Sequence, residues 1–189
     1  MLEKLLTLDR SAFLALNGPM GEFADSFFYF VSGNSSWIPL YLLMLYFVYR
    51  KGGWKTALVF LAFVAISVTL ADQMCNIAKY GLKKLRPSHE PALEGLVHTV
   101  RGYIGGYYGT FSAHAATMIC IATFTARFFR KAWVTIFMSV WALVICYSRI
   151  YLGLHYPLDP VCGGLTGFIF GWYAYKLFAS ERVAKWYKS

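Results

Sequence analysis

Three short segments of this 189-residue chain carry side chains that could do chemistry. KYGLKKLRP holds Lys79 and Arg86, the latter followed by Pro87; GTFSAHAA holds Ser112 and His114; YSRIYLGLHYPLDP holds Ser148, Arg149, His155 and Asp159. Two arginines and a lysine make a cationic cradle, and Arg can grip a phosphate with two parallel hydrogen bonds. A helix starting at Ser112 would add a hydroxyl donor and free backbone N–H groups, Ala113 among them, which favour an anion. The histidines turn binding into reaction. A neutral imidazole can attack phosphorus, and a protonated one can give its proton to the leaving alkoxide. Asp159 follows His155 by four residues, so on a helix the two share a face and the carboxylate can fix the imidazole tautomer. The arrangement needs no metal and no other cofactor.

The elements that position these segments read from composition and hydropathy. The chain is 58% apolar and 19% aromatic, with only 14% charged residues, and its mean hydropathy is +0.50. That composition predicts an all-α integral membrane helical bundle of about five to six transmembrane helices. Residues 1–17 read as an N-terminal amphipathic helix lying along the membrane surface, and 20–33 as a short interfacial or re-entrant helix. Asn34, Ser35 and Ser36 offer helix caps. Spans are expected at 37–49, 56–78, 112–129, 132–147 and 158–178, in one domain covering 1–189, with 1–36 interfacial and 37–178 the bundle. If the first motif is helical, Lys79 and Arg86 lie two turns apart on one face, although Pro87 disfavours helix through Arg86. Asp72 and Asn76 share a face with Lys79 and are expected to pair within the bundle. His89, Glu90, Glu94 and His98 are expected to be structural or solvated.

The net charge of +9 comes mostly from Lys and Arg in short loops, which points to topology rather than nucleic acid. Arg50, Lys51, Lys55, Arg127, Arg130, Lys131, Lys176, Arg182, Lys185 and Lys188 fall on one side and mark it as cytoplasmic. The three motifs fall on the other side, itself basic. RGYIGGYYG, residues 101–109, reads either as a flexible loop with aromatic anchors or as backbone that must approach a head group closely. Cys75, Cys120, Cys146 and Cys162 form no C-x-x-C pair and read as small buried residues.

Taken together, Lys79-x6-Arg86-Pro87, Ser112-x-His114 and Ser148-Arg149-x5-His155-x3-Asp159 resemble the three signature motifs of the type 2 phosphatidic acid phosphatases, membrane lipid phosphatases related to vanadium haloperoxidases. The resemblance spans 79–159 in motifs 79–87, 111–114 and 148–159. It implies that His155 is the nucleophile and His114 the general acid. It implies that Asp159 orients His155, and that Lys79, Arg86, Ser112, Ala113 and Arg149 hold the phosphate. Phe111 and Ala113 replace the family's usual Pro and Gly, and an alanine Cβ would obstruct a position needing φ > 0 or close phosphate approach. The partners implied are a lipid phosphate and the bilayer, the compartment the bacterial inner membrane with an outward-facing site. Undecaprenyl diphosphate is the expected substrate, with phosphatidylglycerophosphate and lipid A phosphates as alternatives. Two rival readings use the same residues: a transporter or channel with a polar ion path, against which the charges gather at one face, and a zinc site of His114, His155 and Asp159, disfavoured by the neighbouring cations.

Overall fold

Gly53 decides the course of the first apolar segment. It has φ 77°, a left-handed conformation that glycine adopts without a Cβ penalty, and it breaks an otherwise continuous helix. A straight helix would put Tyr41 and Asp72 about 46 Å apart, yet both line one cavity. Leu42, Leu45 and Tyr46 likewise share a cavity wall with Ala57, Leu58 and Leu61. The segment is therefore an antiparallel pair of arms, 38–52 and 54–82, which correspond to the first two expected spans.

The computed structural model describes residues 2–188. In chain order the helices are α1 (Leu2–Leu16), α2 (Glu22–Ser32), α3 (Ile38–Leu82, broken at Gly53), α4 (Ala113–Phe129), α5 (Ala132–Tyr151), α6 (Leu158–Phe178) and α7 (Glu181–Lys188). The stretch 35–82 and α5 are long and apolar enough to cross a membrane, and α4 is a shorter apolar helix. Large apolar side chains such as Leu42, Ile66, Ile77, Leu143 and Leu165 are more than half exposed, the pattern of a helical membrane bundle whose outer face meets lipid. Its core joins α3, α4, α5, α6 and α7 through Val48, Phe60, Phe124, Trp141, Ile145, Phe178 and Tyr187.

The most extensive helix pair is α4 on α6, and glycine makes it possible. A Cβ on Gly163 would strike the Ser112 carbonyl, one on Gly167 the Ala116 carbonyl, and one on Gly171 the Cys120 carbonyl. These glycines recur every four residues on one helix face, and small residues at that spacing let backbones approach closely in a bilayer. The contact reaches the helix starts, where the Ser112 N–H donates to the Asp159 carbonyl at 3.0 Å. Two of the three motifs are thus locked to each other by backbone.

Asn34, Ser35 and Ser36 do not cap α3 with their side chains. Ser35 and Ser36 belong to a 3₁₀ turn at Ser35–Trp37 that leads into it, and Asn34 precedes that turn. The end of α3 decides the conditional reading of the first motif. The helix stops at Leu82, Lys83 takes φ 49°, and Leu85 forms an antiparallel bridge with Tyr108. Lys79 and Arg86 therefore do not share a helical face; Arg86 is carried by extended backbone ahead of Pro87, as the restricted residue before proline prefers.

Candidate active site

His155 is nearly fully buried, in the turn between α5 and α6. Asp159 is the second residue of α6, so the pair meets across the helix start rather than along a helical face. His155 Nδ1 lies 3.4 Å from Asp159 Oδ2, and the same oxygen accepts the Tyr156 N–H at 3.0 Å. Besides Asp159, the groups that face His155 include Arg86, Arg149, His114 and Lys79. Burial first, and those cations second, hold the His155 imidazole well below its ordinary range, so at neutral pH it is uncharged and carries a free lone pair.

Each cation is held differently. Arg86 Nε donates to the Tyr108 carbonyl at 3.1 Å and Nη1 to the Leu154 carbonyl at 3.4 Å. The loop reaches Arg86 because Gly105 and Gly109 are small: a Cβ on Gly109 would lie 2.5 Å from Arg86 Cγ, and one on Gly105 would lie 3.1 Å from Nη1. The glycine-rich loop is thus close-approach backbone, and what it approaches is Arg86. Arg149 is buried, donates through Nη1 to Ser32 Oγ of α2, and among the described residues has no partner for its Nε. A buried donor left so costs about 1–3 kcal/mol unless an acceptor arrives, which suits an anion site. Lys79 Nζ donates to Asn76 Oδ1 at 2.9 Å and Asn76 Nδ2 to Asp72 Oδ2 at 2.8 Å, the pairing expected from their spacing.

Ser112 is the N-cap of α4: its Oγ accepts the Ala115 N–H at 3.4 Å and the residue is fully buried. Its hydroxyl hydrogen stays available to donate. Ala113 opens the helix and is not among the residues of positive φ, so its Cβ carries no backbone strain; Phe111 and Ala113 pack against Ala71, Cys75 and Ala116. His114 faces two cavities, one of about 740 Å³ shared with Arg149 and another of about 320 Å³ shared with Asp72. The larger is lined by Ser26, Tyr29, Ser32, Asn34, Ser35, Ser36, Arg101 and Tyr103. Lys79, Arg86 and His155 are not among its lining residues.

A buried imidazole oriented by a carboxylate, a second imidazole at a cavity mouth and several converging cations form a phosphoryl-transfer constellation. Residues 57–182 match the PAP2 superfamily. The chain belongs to that superfamily. A lipid A 4'-phosphatase of Bacteroides thetaiotaomicron is 40% identical over 177 residues, which cover 93% of this chain and 79% of that protein. A lipid A 4'-phosphatase of Porphyromonas gingivalis is 36% identical over 188 residues, covering 98% and 78%. The crystal structure of Aquifex aeolicus LpxE superimposes with a TM-score of 0.66 at 23% identity over 89% of this chain and 95% of that one, which shows a shared fold. This PAP2 protein is accordingly a membrane phosphatase of lipid phosphates.

Sequence reasoning missed Asp9 and Lys84. Lys84 Nζ lies 3.1 Å from Asp159 Oδ1 and 3.3 Å from Asp9 Oδ2. The signal for Asp9 was present: Asp9 and Phe13 on α1 and Asn17 just past its end recur every four residues and all three are buried, so they mark the inward side of this segment. Lys84 carried no such mark among the basic residues around it. The outer-segment residues are structural where partners exist, as expected: His98 pairs with Asp25 at 2.9 Å and Glu90 with Arg10 at 3.9 Å.

Proposed function

We propose that this protein removes a phosphate monoester from the head group of a membrane lipid through a phosphohistidine intermediate, with a lipid A-type phosphate as substrate. The observation that carries the mechanism is His155, neutral, oriented by Asp159 and faced by Arg86, Arg149, Lys79 and His114. His155 Nε2 attacks phosphorus; the N–P bond forms as the P–O ester bond breaks, and His114 gives its proton to the leaving oxygen. His114 then takes a proton from water, the water oxygen attacks phosphorus, and the N–P bond breaks with its electron pair returning to His155. Arg86, Arg149, Lys79, the Ser112 hydroxyl and the Ala113 N–H share the charge on the phosphoryl oxygens.

Two observations favour a lipid A-type head group over undecaprenyl diphosphate, reversing the order drawn from the sequence. The relatives at 36% and 40% identity are named for lipid A 4'-phosphate. The large cavity is walled mostly by hydroxyl, amide and aromatic groups, which suit a sugar and would be left unpaired by an isoprenoid chain. The protein is proposed to be a single domain that crosses the bacterial inner membrane several times.

Two measurements test this. Purified wild type releases phosphate from a lipid A preparation faster than from undecaprenyl diphosphate or phosphatidylglycerophosphate offered at equal concentration, and His155→Ala loses that activity by on the order of 10³-fold or more. Full-rate phosphate release by His155→Ala would sink the mechanism; preference for undecaprenyl diphosphate would sink the substrate assignment alone.

A further inference from the structure

The polar face of α1 ends at the catalytic turn. Asp9 Oδ1 accepts the N–H of Leu158, the first residue of α6, at 2.9 Å. Its other oxygen meets Lys84 Nζ at 3.3 Å, and the same Nζ lies 3.1 Å from Asp159 Oδ1 and 4.3 Å from the Tyr156 ring centroid. The Asp9 and Asp159 side chains are 2% and 3% exposed and that of Lys84 28%. Lys84 is itself fixed, because its carbonyl accepts the Gly109 N–H at 2.9 Å. Helix α1 is pinned to the same place twice more. Phe13 packs edge-on against Tyr156 at 5.4 Å. Asn17 donates to the carbonyls of His98, Ile150 and Tyr151 at 2.7–3.0 Å and accepts the His98 N–H.

We infer that Lys84 and Asp9 are positioning residues for the His155–Asp159 pair. Both oxygens of Asp159 are committed, Oδ2 to His155 and the Tyr156 N–H, Oδ1 to Lys84, so the carboxylate plane cannot rotate away from the imidazole. Lys84 also places a cation between two buried carboxylates. Without it, Asp9 and Asp159 repel each other, and one relieves the repulsion by taking a proton. Either response loosens Nδ1 of His155 and with it the aim of Nε2 at phosphorus. Asp9 lies outside residues 57–182, the part of the chain that matches the superfamily, so this prop is contributed by the N-terminal helix. The inference rests on the His155–Asp159 mechanism proposed above, not on which lipid is cleaved.

The test is a double-mutant cycle on the purified full-length protein, with the best of the three lipid phosphates as probe. Lys84→Met is expected to lower kcat by about 10- to 100-fold, the range a small loss of catalytic aim costs, while KM changes less than about twofold. Lys84→Arg is expected to restore most of the rate. In an Asp159→Asn background Lys84→Met should cost almost nothing more, because Lys84 acts through that carboxylate. Equal losses in the two backgrounds, or a Lys84→Met loss confined to KM, would overturn the role. Asp9→Asn, which keeps the size and one acceptor, gives a milder kcat loss and shows that the effect does not depend on one unstable variant; an unchanged Asp9→Asn rate removes Asp9 from the proposal. Wild type and His155→Ala assayed alongside separate the two readings, since a dead His155→Ala with an unimpaired Lys84→Met rejects the positioning role and leaves the mechanism standing.

Discussion

The proposed nucleophile, His155, shows how a histidine suits that role. Its imidazole is desolvated and faced by cations, two effects that both disfavour protonation. As pH falls through 6.5, the ordinary histidine value, the unfolded chain takes a proton at this residue while the folded chain does not. A folded-state value depressed in this way adds stability above 6.5 and withdraws it as pH falls towards the folded value. In detergent, the melting midpoint of wild type is therefore expected to drop between pH 7.5 and 5.5 by more than that of His155→Gln, the gap growing by up to about 1.4 kcal/mol per unit below 6.5. Equal pH dependence in the two proteins would show that His155 titrates normally. Residue types and spacing picked out the eight candidate residues before any fold was known, because phosphate chemistry favours Arg, His and Asp in combination. They did not reveal Lys84, whose role depends on a carboxylate 75 positions away in sequence and on a fold that brings it there.

At the scale of elements, the site is assembled by two devices, and they differed in legibility. The apolar runs announced the spans, since hydropathy survives any detail of packing. The glycines of α6 did not announce that they set the distance between two motifs; four-residue spacing of Gly163, Gly167 and Gly171 is also what a flexible helix would show. The structure gives the spacing its meaning, because each would-be Cβ meets a carbonyl of α4. Backbone cannot step aside as a flexible side chain can. Gly167→Ala is therefore expected to push α4 and α6 apart and cost about 1–3 kcal/mol, the usual range for overpacking. It should lower both melting midpoint and kcat, although residue 167 touches no substrate. Gly81→Ala, where a Cβ would meet nothing within 4 Å, serves as the control and should leave both near wild type. At the first motif the sequence left a conditional shared face for Lys79 and Arg86 beside a proline that opposed it; the helix ends at Leu82 and extended backbone carries Arg86 instead.

Across the whole molecule, charge sorts the two ends of the bundle. Lys51 and Arg130 line a cavity with Tyr175 and Tyr187, so the basic loops after the first arm of α3, after α4 and after α6 gather at one end. The catalytic end also carries cations, which on the sequence alone blurred the positive-inside argument. Lys83 and Arg101 at that end are exposed, but others are not free. Lys84 is bridged to two carboxylates, and Arg86 and Arg149 are buried in the site. Buried, paired cations do not act as free loop charge, whereas Arg50, Lys51 and Lys131 are exposed. We propose on this balance that the His155 end faces outward and the Gly53 end faces the cytoplasm. Three of the four native cysteines are buried, so single introduced thiols can report the orientation. Leu96→Cys, at a loop position 61% exposed on the catalytic side, is expected to react with a membrane-impermeant maleimide in right-side-out vesicles. Lys131→Cys, between α4 and α5, should react only after the vesicles are opened. The reverse pattern would place the site on the cytoplasmic leaflet and require its lipid phosphate to be presented there.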